Sequence, residues 1–300
     1  MLRYPGGKSR LKREILRYMY NFHDQNQIKQ WLYIEPFAGA LSVGLSVMEW
    51  DFVKEVFIND KDFGITCFWN SVISFPNELC ALIEKFEPSV DKFFEFQDFL
   101  LKEPTGSTMS VVTEIGFKKL SIHQMSYSGL GTKAGGPIGG RTQSSNYDVG
   151  CRWNAKNLIK EIWATHNLFK SKKIRNPGCC TNWDFEDCLD HSIKSQDATF
   201  FYLDPPYYVK GNELYQHSFS QSDHERMRDL LRDDDRPWVL SYDDCPEIRA
   251  MYDWAAITEI QANYTINTSR NRRELVIVNP HFSKILLILD NPVDLLADAE

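Results

Sequence analysis

The segment Trp31-Leu32-Tyr33-Ile34 constrains this chain more than any other. Four apolar residues closed by Glu35-Pro36 have the character of a buried strand. Phe37-Ala38-Gly39-Ala40 follows as a turn, and Leu41, Val43, Leu45, Val47 and Met48 then give a helical pattern. A second apolar run, Val53 to Ile58, stops at Asn59-Asp60. Strand, tight turn, helix and strand in that order form a β-α-β unit, whose two strands lie parallel. A parallel sheet is covered on both faces and binds its ligands beyond the carboxyl ends of its strands, so the residues following Ile34 and Ile58 are where function is expected first.

The alternation resumes late in the chain. Thr199 to Leu203 reads as a strand running into Asp204-Pro205-Pro206-Tyr207, and Ser222-Asp223-His224-Glu225 has the spacing of a capping box before a helix carrying Met227, Leu230 and Leu231. Trp238 to Ser241, Ala256 to Gln261 and Glu274 to Val278 supply three more strands. From about residue 62 to 175 the pattern is helical, then rich in Gly and Ser across 126–150. The expected organisation is one α/β domain made of residues 1–62 and 176–300, interrupted by a mainly helical domain, 63–175, with a loop or hairpin near 126–150. At 300 residues and 43% hydrophobic, the chain can bury a core of that size.

Net charge is -7, yet it is unevenly spread. Residues 1–30 hold seven Lys/Arg against two Asp/Glu and residues 101–175 hold twelve against four, while residues 31–100 and 181–260 are strongly acidic. Two basic islands in an acidic chain can form a cationic surface for a polyanion, although a charge run by itself is also the mark of a solvated face. The seven cysteines include no C-x-x-C pair, and Cys179 and Cys180 are adjacent, which suits neither a zinc site nor a common disulfide; reduced thiols and no metal are expected. The first residues lack the apolar core of a signal peptide, and no run reaches the ~18 apolar residues of a membrane span, so a cytoplasmic protein is expected.

Three motifs carry chemistry. Gly6-Gly7-Lys8-Ser9 lacks the earlier glycine of a phosphate-binding P-loop, Leu2 standing in its place, and no strand precedes it. Glu35-Pro36-Phe37-Ala38-Gly39 lies where a doubly wound sheet binds nucleotides, and Asp60, one strand over, is placed to accept the hydroxyls of a ribose; capping a helix is its competing role. Asp204-Pro205-Pro206-Tyr207 is the most telling. Two prolines after a strand end fix φ and remove backbone donors, so an aspartate and a backbone carbonyl together offer two acceptors to one amino group. An exocyclic amine held so becomes tetrahedral enough for its nitrogen to attack a sulfonium methyl, and Tyr207 offers a face for a base taken out of the duplex.

With these residues in view the chain resembles the Dam-type family of DNA adenine-N6 methyltransferases over nearly its whole length. The matching motifs run in order as Arg3-Tyr4-Pro5-Gly6-Gly7-Lys8, Glu35 to Gly39, Asn59-Asp60, Asn182-Trp183-Asp184-Phe185, Asp204 to Tyr207, Leu240-Ser241-Tyr242-Asp243 and Asn267-Thr268-Ser269-Arg270. The resemblance implies a Rossmann-like S-adenosylmethionine-dependent methyltransferase sheet with an inserted, mainly helical target-recognition domain. It implies that Tyr4, Lys8, Phe37, Gly39, Asp60 and Phe185 line the S-adenosylmethionine site, that Asp184 receives the amino group of the cofactor's adenine, and that Asp204 stands between cofactor and target. The partner it implies is double-stranded DNA, with the base flipped, and it leaves open a cognate restriction endonuclease or other defence-system protein. The stretch Gly135 to Arg141 resembles the family's DNA-contacting hairpin; Arg141, Gln143 and Asn146 are of the types that read base edges, and Lys118 and Lys119 belong to the same basic island. One departure is that Ala40 and Leu41 follow Gly39 where the family has further glycines.

Other readings stay open. Methylation of cytosine N4 uses the same acceptor geometry, with Ser more often than Asp at the first position of the motif. A methyltransferase of RNA or protein glutamine would leave the inserted segment without a use. A catalytically inactive DNA-binding relative would not need an intact Asp204 to Tyr207. Chemistry at cytosine carbon 5 has no visible nucleophile, since the chain contains no Pro-Cys pair.

Overall fold

The structure, a computed structural model, describes residues 1–2, 9–26, 29–175, 179–193, 198–209, 211–262 and 272–281. Tyr4, Lys8 and the motif at 267–270 lie outside the described residues.

Helix α1 (Ser9–Asn26) leads into β1 (Trp31–Glu35), α2 (Ser42–Val47) and β2 (Val53–Ile58). This is the β-α-β unit expected from the sequence, and β1 and β2 pair in parallel with Glu35 opposite Ile58. The helices α3 (Phe63–Ser74), α4 (Pro76–Lys85), α5 (Val90–Leu101), α6 (Met109–Met125) and α7 (Ala155–Lys170) follow before the chain returns to the sheet as β3 (Lys173–Ile174). Then come α8 (Phe185–Ile193), β4 (Ala198–Leu203), α9 (Gly211–Leu214), α10 (Gln221–Arg232), β5 (Trp238–Asp243), α11 (Pro246–Met251), β6 (Ala256–Ala262) and β7 (Arg272–Val278).

The seven strands lie in the order β3-β2-β1-β4-β5-β7-β6. All are parallel except β7, which runs antiparallel to both β5 and β6. From β1 the order runs outward in both directions, to β2 and β3 on one side and to β4 and β5 on the other. The ends of β1 and β4 therefore flank the crevice where a doubly wound sheet takes a ligand.

Both faces are covered, as a parallel sheet requires. Side chains alternate: Trp31 and Tyr33 of β1, with Phe200 and Tyr202 of β4, enter one cluster with α1 and α3 to α7, whereas Leu32, Ile34, Phe201 and Leu203 enter the other with α8, α10 and α11. The first cluster is continuous, so the helical segment shares its core with one face of the sheet. Close crossing is built into the sequence at Gly116 of α6, where an added Cβ would lie 2.8 Å from the backbone of Cys67 and Phe68 on α3.

Two expectations need correction, the capping box and the hairpin. The capping box of α10 is formed by Ser220 and Asp223, the Ser220 hydroxyl accepting from the Asp223 N–H while the Asp223 carboxylate accepts from the Ser220 N–H; the helix starts one turn-residue ahead of Ser222. Asp60 does not take the competing helix-capping role, which falls to Asp62 at the start of α3. Between residues 126 and 150 no strand ladder forms: the segment makes two single-turn helices, 127–129 and 131–133, and one isolated antiparallel bridge between Ser126 and Pro137. Its glycines and its side-chain clasps favour a self-bonded loop over a ribbon. Among the described residues no helix is long and apolar enough to cross a membrane.

Candidate active site

Two strand ends organise the site, and asparagine amides join the segments around the first. After β1 the chain turns through Pro36 to Gly39, with Gly39 at φ 45 and Leu41 at φ 53. A branched residue at that angle costs about 1–2 kcal/mol, so the departure from glycine at Leu41 falls where the backbone would have used one. Burial of its side chain, 1% exposed, opposes that cost. The Asn59 side chain donates to the carbonyls of Pro36 (3.0 Å) and Trp183 (3.2 Å) and accepts from the Thr181 hydroxyl (2.7 Å) and the Trp183 N–H (2.8 Å). Asn182 donates to the carbonyls of Asp60 and Lys61. Segments 36–39, 59–62 and 181–185 are thus one hydrogen-bonded unit.

Asp60 sits inside it. One carboxylate oxygen accepts from the Gly39 N–H at 2.7 Å and the other from the Asp62 N–H at 2.8 Å. Burial, then the charge of Asp62, push its carboxyl up to about 7, against those two donors and Lys119. Phe37 and Phe185, from two segments of this unit, pack with Phe219: Phe37 lies 6.0 Å from Phe185 and 5.6 Å from Phe219, and Phe185 lies 5.2 Å from Phe219, measured between ring centres. Asp184 precedes α8 and accepts from the Glu186 N–H and from Arg226, whose guanidinium also lies over the Phe185 ring at 4.8 Å. The unit therefore offers acidic acceptors and aromatic faces, the chemistry a nucleoside requires.

The second strand end is that of β4. Register places Leu203 opposite Leu240 of β5, so Asp204 falls beside Ser241, whose hydroxyl donates to it at 2.8 Å. Pro205 and Pro206 are buried and Tyr207 is half-buried. The chain beyond is gripped by Asp243 at the end of β5, whose two oxygens accept from the N–H groups of Tyr208 (2.9 Å) and Val209 (3.0 Å). Gly211 then donates to the Tyr207 carbonyl at 2.7 Å. His224 of α10 meets the Tyr242 hydroxyl at 2.6 Å and packs on Tyr208 and Phe219; burial lowers its pKa to about 4, which leaves it neutral at pH 7.

The structure thus sets Phe37, Gly39, Asp60, Asp184, Phe185 and Asp204 to Tyr207 beyond the carboxyl ends of the strands. The residues expected to meet DNA fare differently. Lys119 is 2% exposed and its ammonium lies 2.5 Å from Asp62, so it is an internal counter-charge and not part of a DNA surface. Lys118 pairs with Glu114 and lies 3.7 Å over the Phe99 ring, with its side chain 12% exposed. Gln143 spends its amide on its own loop, donating to the carbonyls of Ile138 and Gly140 and accepting from the Val149 N–H. Arg141 and Asn146 are exposed, the former stacked on Phe94 at 4.1 Å. Roles for Asn59, Asp62, Phe219, Arg226, Ser241 and Asp243 escaped the sequence reading. The signal for Asp243 was present, since it ends a strand next to the one that Asp204 ends. No cluster of His, Cys, Asp and Glu among the described residues could hold a metal.

The family model for D12 class N6 adenine-specific DNA methyltransferases matches residues 4–266, which take in the motifs from Tyr4 to Asp243. No curated protein matches the chain.

Proposed function

The chain belongs to the D12 class of N6 adenine-specific DNA methyltransferases, and from that premise we propose that it takes its methyl group from S-adenosylmethionine and acts on an adenine flipped out of a specific double-stranded DNA sequence. The observation that carries this reading is the pair of acidic strand ends: Asp60 in the unit beside the turn after β1, and Asp204 across the point where the strand order reverses.

The residues present fit the cofactor. Asp60, with two lone pairs on each oxygen, can accept ribose hydroxyls in addition to its two backbone donors. Asp184 accepts the adenine amino group, and Phe37 and Phe185 cover the rings, with Gly39 allowing the backbone close. Tyr4 and Lys8 complete the site on this reading. When bound, the cofactor supplies a sulfonium methyl.

Asp204 and the Pro205 carbonyl then accept the two hydrogens of the target amine, drawing its lone pair out of conjugation with the base. A cofactor held there would supply the methyl to the amine nitrogen, with the electron pair of the broken carbon–sulfur bond staying on sulfur and the extra proton on nitrogen passing to water. Ser241 fixes the Asp204 carboxylate for this task, and Asp243 fixes the chain that presents Tyr207, on which the flipped base stacks. Arg141 and Asn146 remain the side chains to reach DNA from the helical segment. Modified-base sequencing of DNA from a methylation-free host expressing the protein tests the reading. One sequence context carrying N6-methyladenine is expected, and methylation scattered over all contexts would overturn sequence specificity.

A further inference from the structure

We propose that Lys119 of α6 is the counter-charge that lets two buried carboxylates, Asp60 and Asp62, share the end of β2, and is thereby a positioning residue for cofactor binding. The proposal rests on the reading of Asp60 as the acceptor of the ribose hydroxyls.

An unbroken line of hydrogen bonds links the helical segment to the turn after β1. The Lys119 ammonium donates to Asp62 Oδ2 at 2.5 Å, and Asp62 Oδ1 accepts from the N–H groups of Gly64 (2.9 Å) and Ile65 (3.2 Å), capping α3. The Asp62 N–H donates to Asp60 Oδ1 at 2.8 Å, and Asp60 Oδ2 accepts from Gly39 at 2.7 Å. Every charged group in the line is nearly out of water: Lys119 is 2% exposed, Asp60 and Asp62 are 9%. The lysine has been given room to arrive. A Cβ at Gly64 would lie 2.9 Å from its Cδ, so the first turn of α3 is notched where the lysine stem passes.

Two carboxylates so close in a buried place cannot both stay ionised without a cation. The titratable groups facing the pair are Lys119 and His123 from α6 and His217 from the chain after α9; the thiols of Cys67 on α3 and Cys180 in the 179–181 segment are pushed up and neutral. His123 is held at the Gly129 carbonyl and His217 lies 3.8 Å from Glu103, so Lys119 is the permanent charge in contact with the pair. Burial raises the Asp62 carboxyl, yet Lys119 brings it below its ordinary value; Asp60, one bond further, stands at about 7. Hydroxyls bind the ionised carboxylate, so cofactor affinity is expected to rise with pH through that region.

The test is calorimetric titration of S-adenosylhomocysteine into the full-length protein from pH 6 to 9, with thermal unfolding run in parallel. In Lys119→Met the pH midpoint of binding should move up by about one unit, weakening binding about fivefold at pH 7 and restoring it above that midpoint. Lys119→Arg should return the wild-type profile. Asp62→Asn keeps an acceptor for the α3 cap and removes the like charge, so its midpoint should move down; this opposite shift decides the matter even if Lys119→Met fails to fold. Midpoints that do not move, or an equal loss at every pH, would make Lys119 a structural ion pair only and overturn the proposal. Wild-type protein that binds no S-adenosylhomocysteine would remove the premise and the proposal together.

Discussion

Asp60 and Asp204 are the same residue type at the same position in a parallel sheet, just beyond the end of a strand, yet their surroundings differ. Asp60 is 9% exposed, both of its oxygens accept backbone N–H groups, and a second carboxylate and a lysine crowd it. Asp204 is only partly buried, is steadied by the Ser241 hydroxyl, and is followed by two buried prolines and a half-buried tyrosine. The end of β2 is joined into the scaffold, as suits a group that holds a cofactor. The end of β4 is a rigid platform with a reachable acceptor, as suits a group that meets a substrate. Changes at the first should therefore register in stability and cofactor affinity, and changes at the second in rate.

The largest separation is expected from Asp204→Ala, which should lower kcat by about 10³ or more while leaving the melting temperature and cofactor affinity near wild type. Single-turnover methylation alongside thermal unfolding measures both sides. Asp62→Ala should do the reverse. It removes the α3 cap and leaves Lys119 buried without its partner, a loss on the order of 3–5 kcal/mol in urea unfolding. If that variant instead lost rate with no loss of stability, the contrast between the two strand ends would collapse.

On the β4 side, Asp243→Ala should again act on rate more than on stability. Freeing the N–H groups of Tyr208 and Val209 should misplace the tyrosine platform and cost up to about 10²-fold in kcat, with a smaller change in stability. Ser241→Ala should cost less, about tenfold, since it removes one charge-assisted hydrogen bond from Asp204. The smallest effect concerns acid. His224 is held neutral in the folded protein, its pKa lowered to about 4 from 6.5, so the unfolded chain takes up its proton first as pH falls. Stability should decline between pH 6.5 and 4, and His224→Gln should flatten that part of the urea midpoint against pH.

The same contrast marks what the sequence could disclose. Strands β1, β2 and β4 were legible because each is an apolar run ended by a polar or proline-bearing turn, and their ends located Asp60 and Asp204. Strand β3, two residues long, leaves no pattern to read. Lys119 was misplaced because a charge count carries no direction: α6 buries Thr113, Ser121, His123 and Gln124 along with its apolar residues, so no face of it announces itself as solvent. Gln143 looked like a reader of bases because its hydrogen bonds to Ile138, Gly140 and Val149 are set by loop closure, which residue identity does not encode.

Purified protein is incubated with S-adenosylmethionine labelled in its methyl group and with plasmid DNA, and the DNA is digested to nucleosides and separated by chromatography. The label should run with N6-methyladenosine in its deoxy form for the wild type and be absent for Asp204→Ala, which still binds S-adenosylhomocysteine. Label in cytosine, or labelling by Asp204→Ala within a few-fold of wild type, would contradict the account.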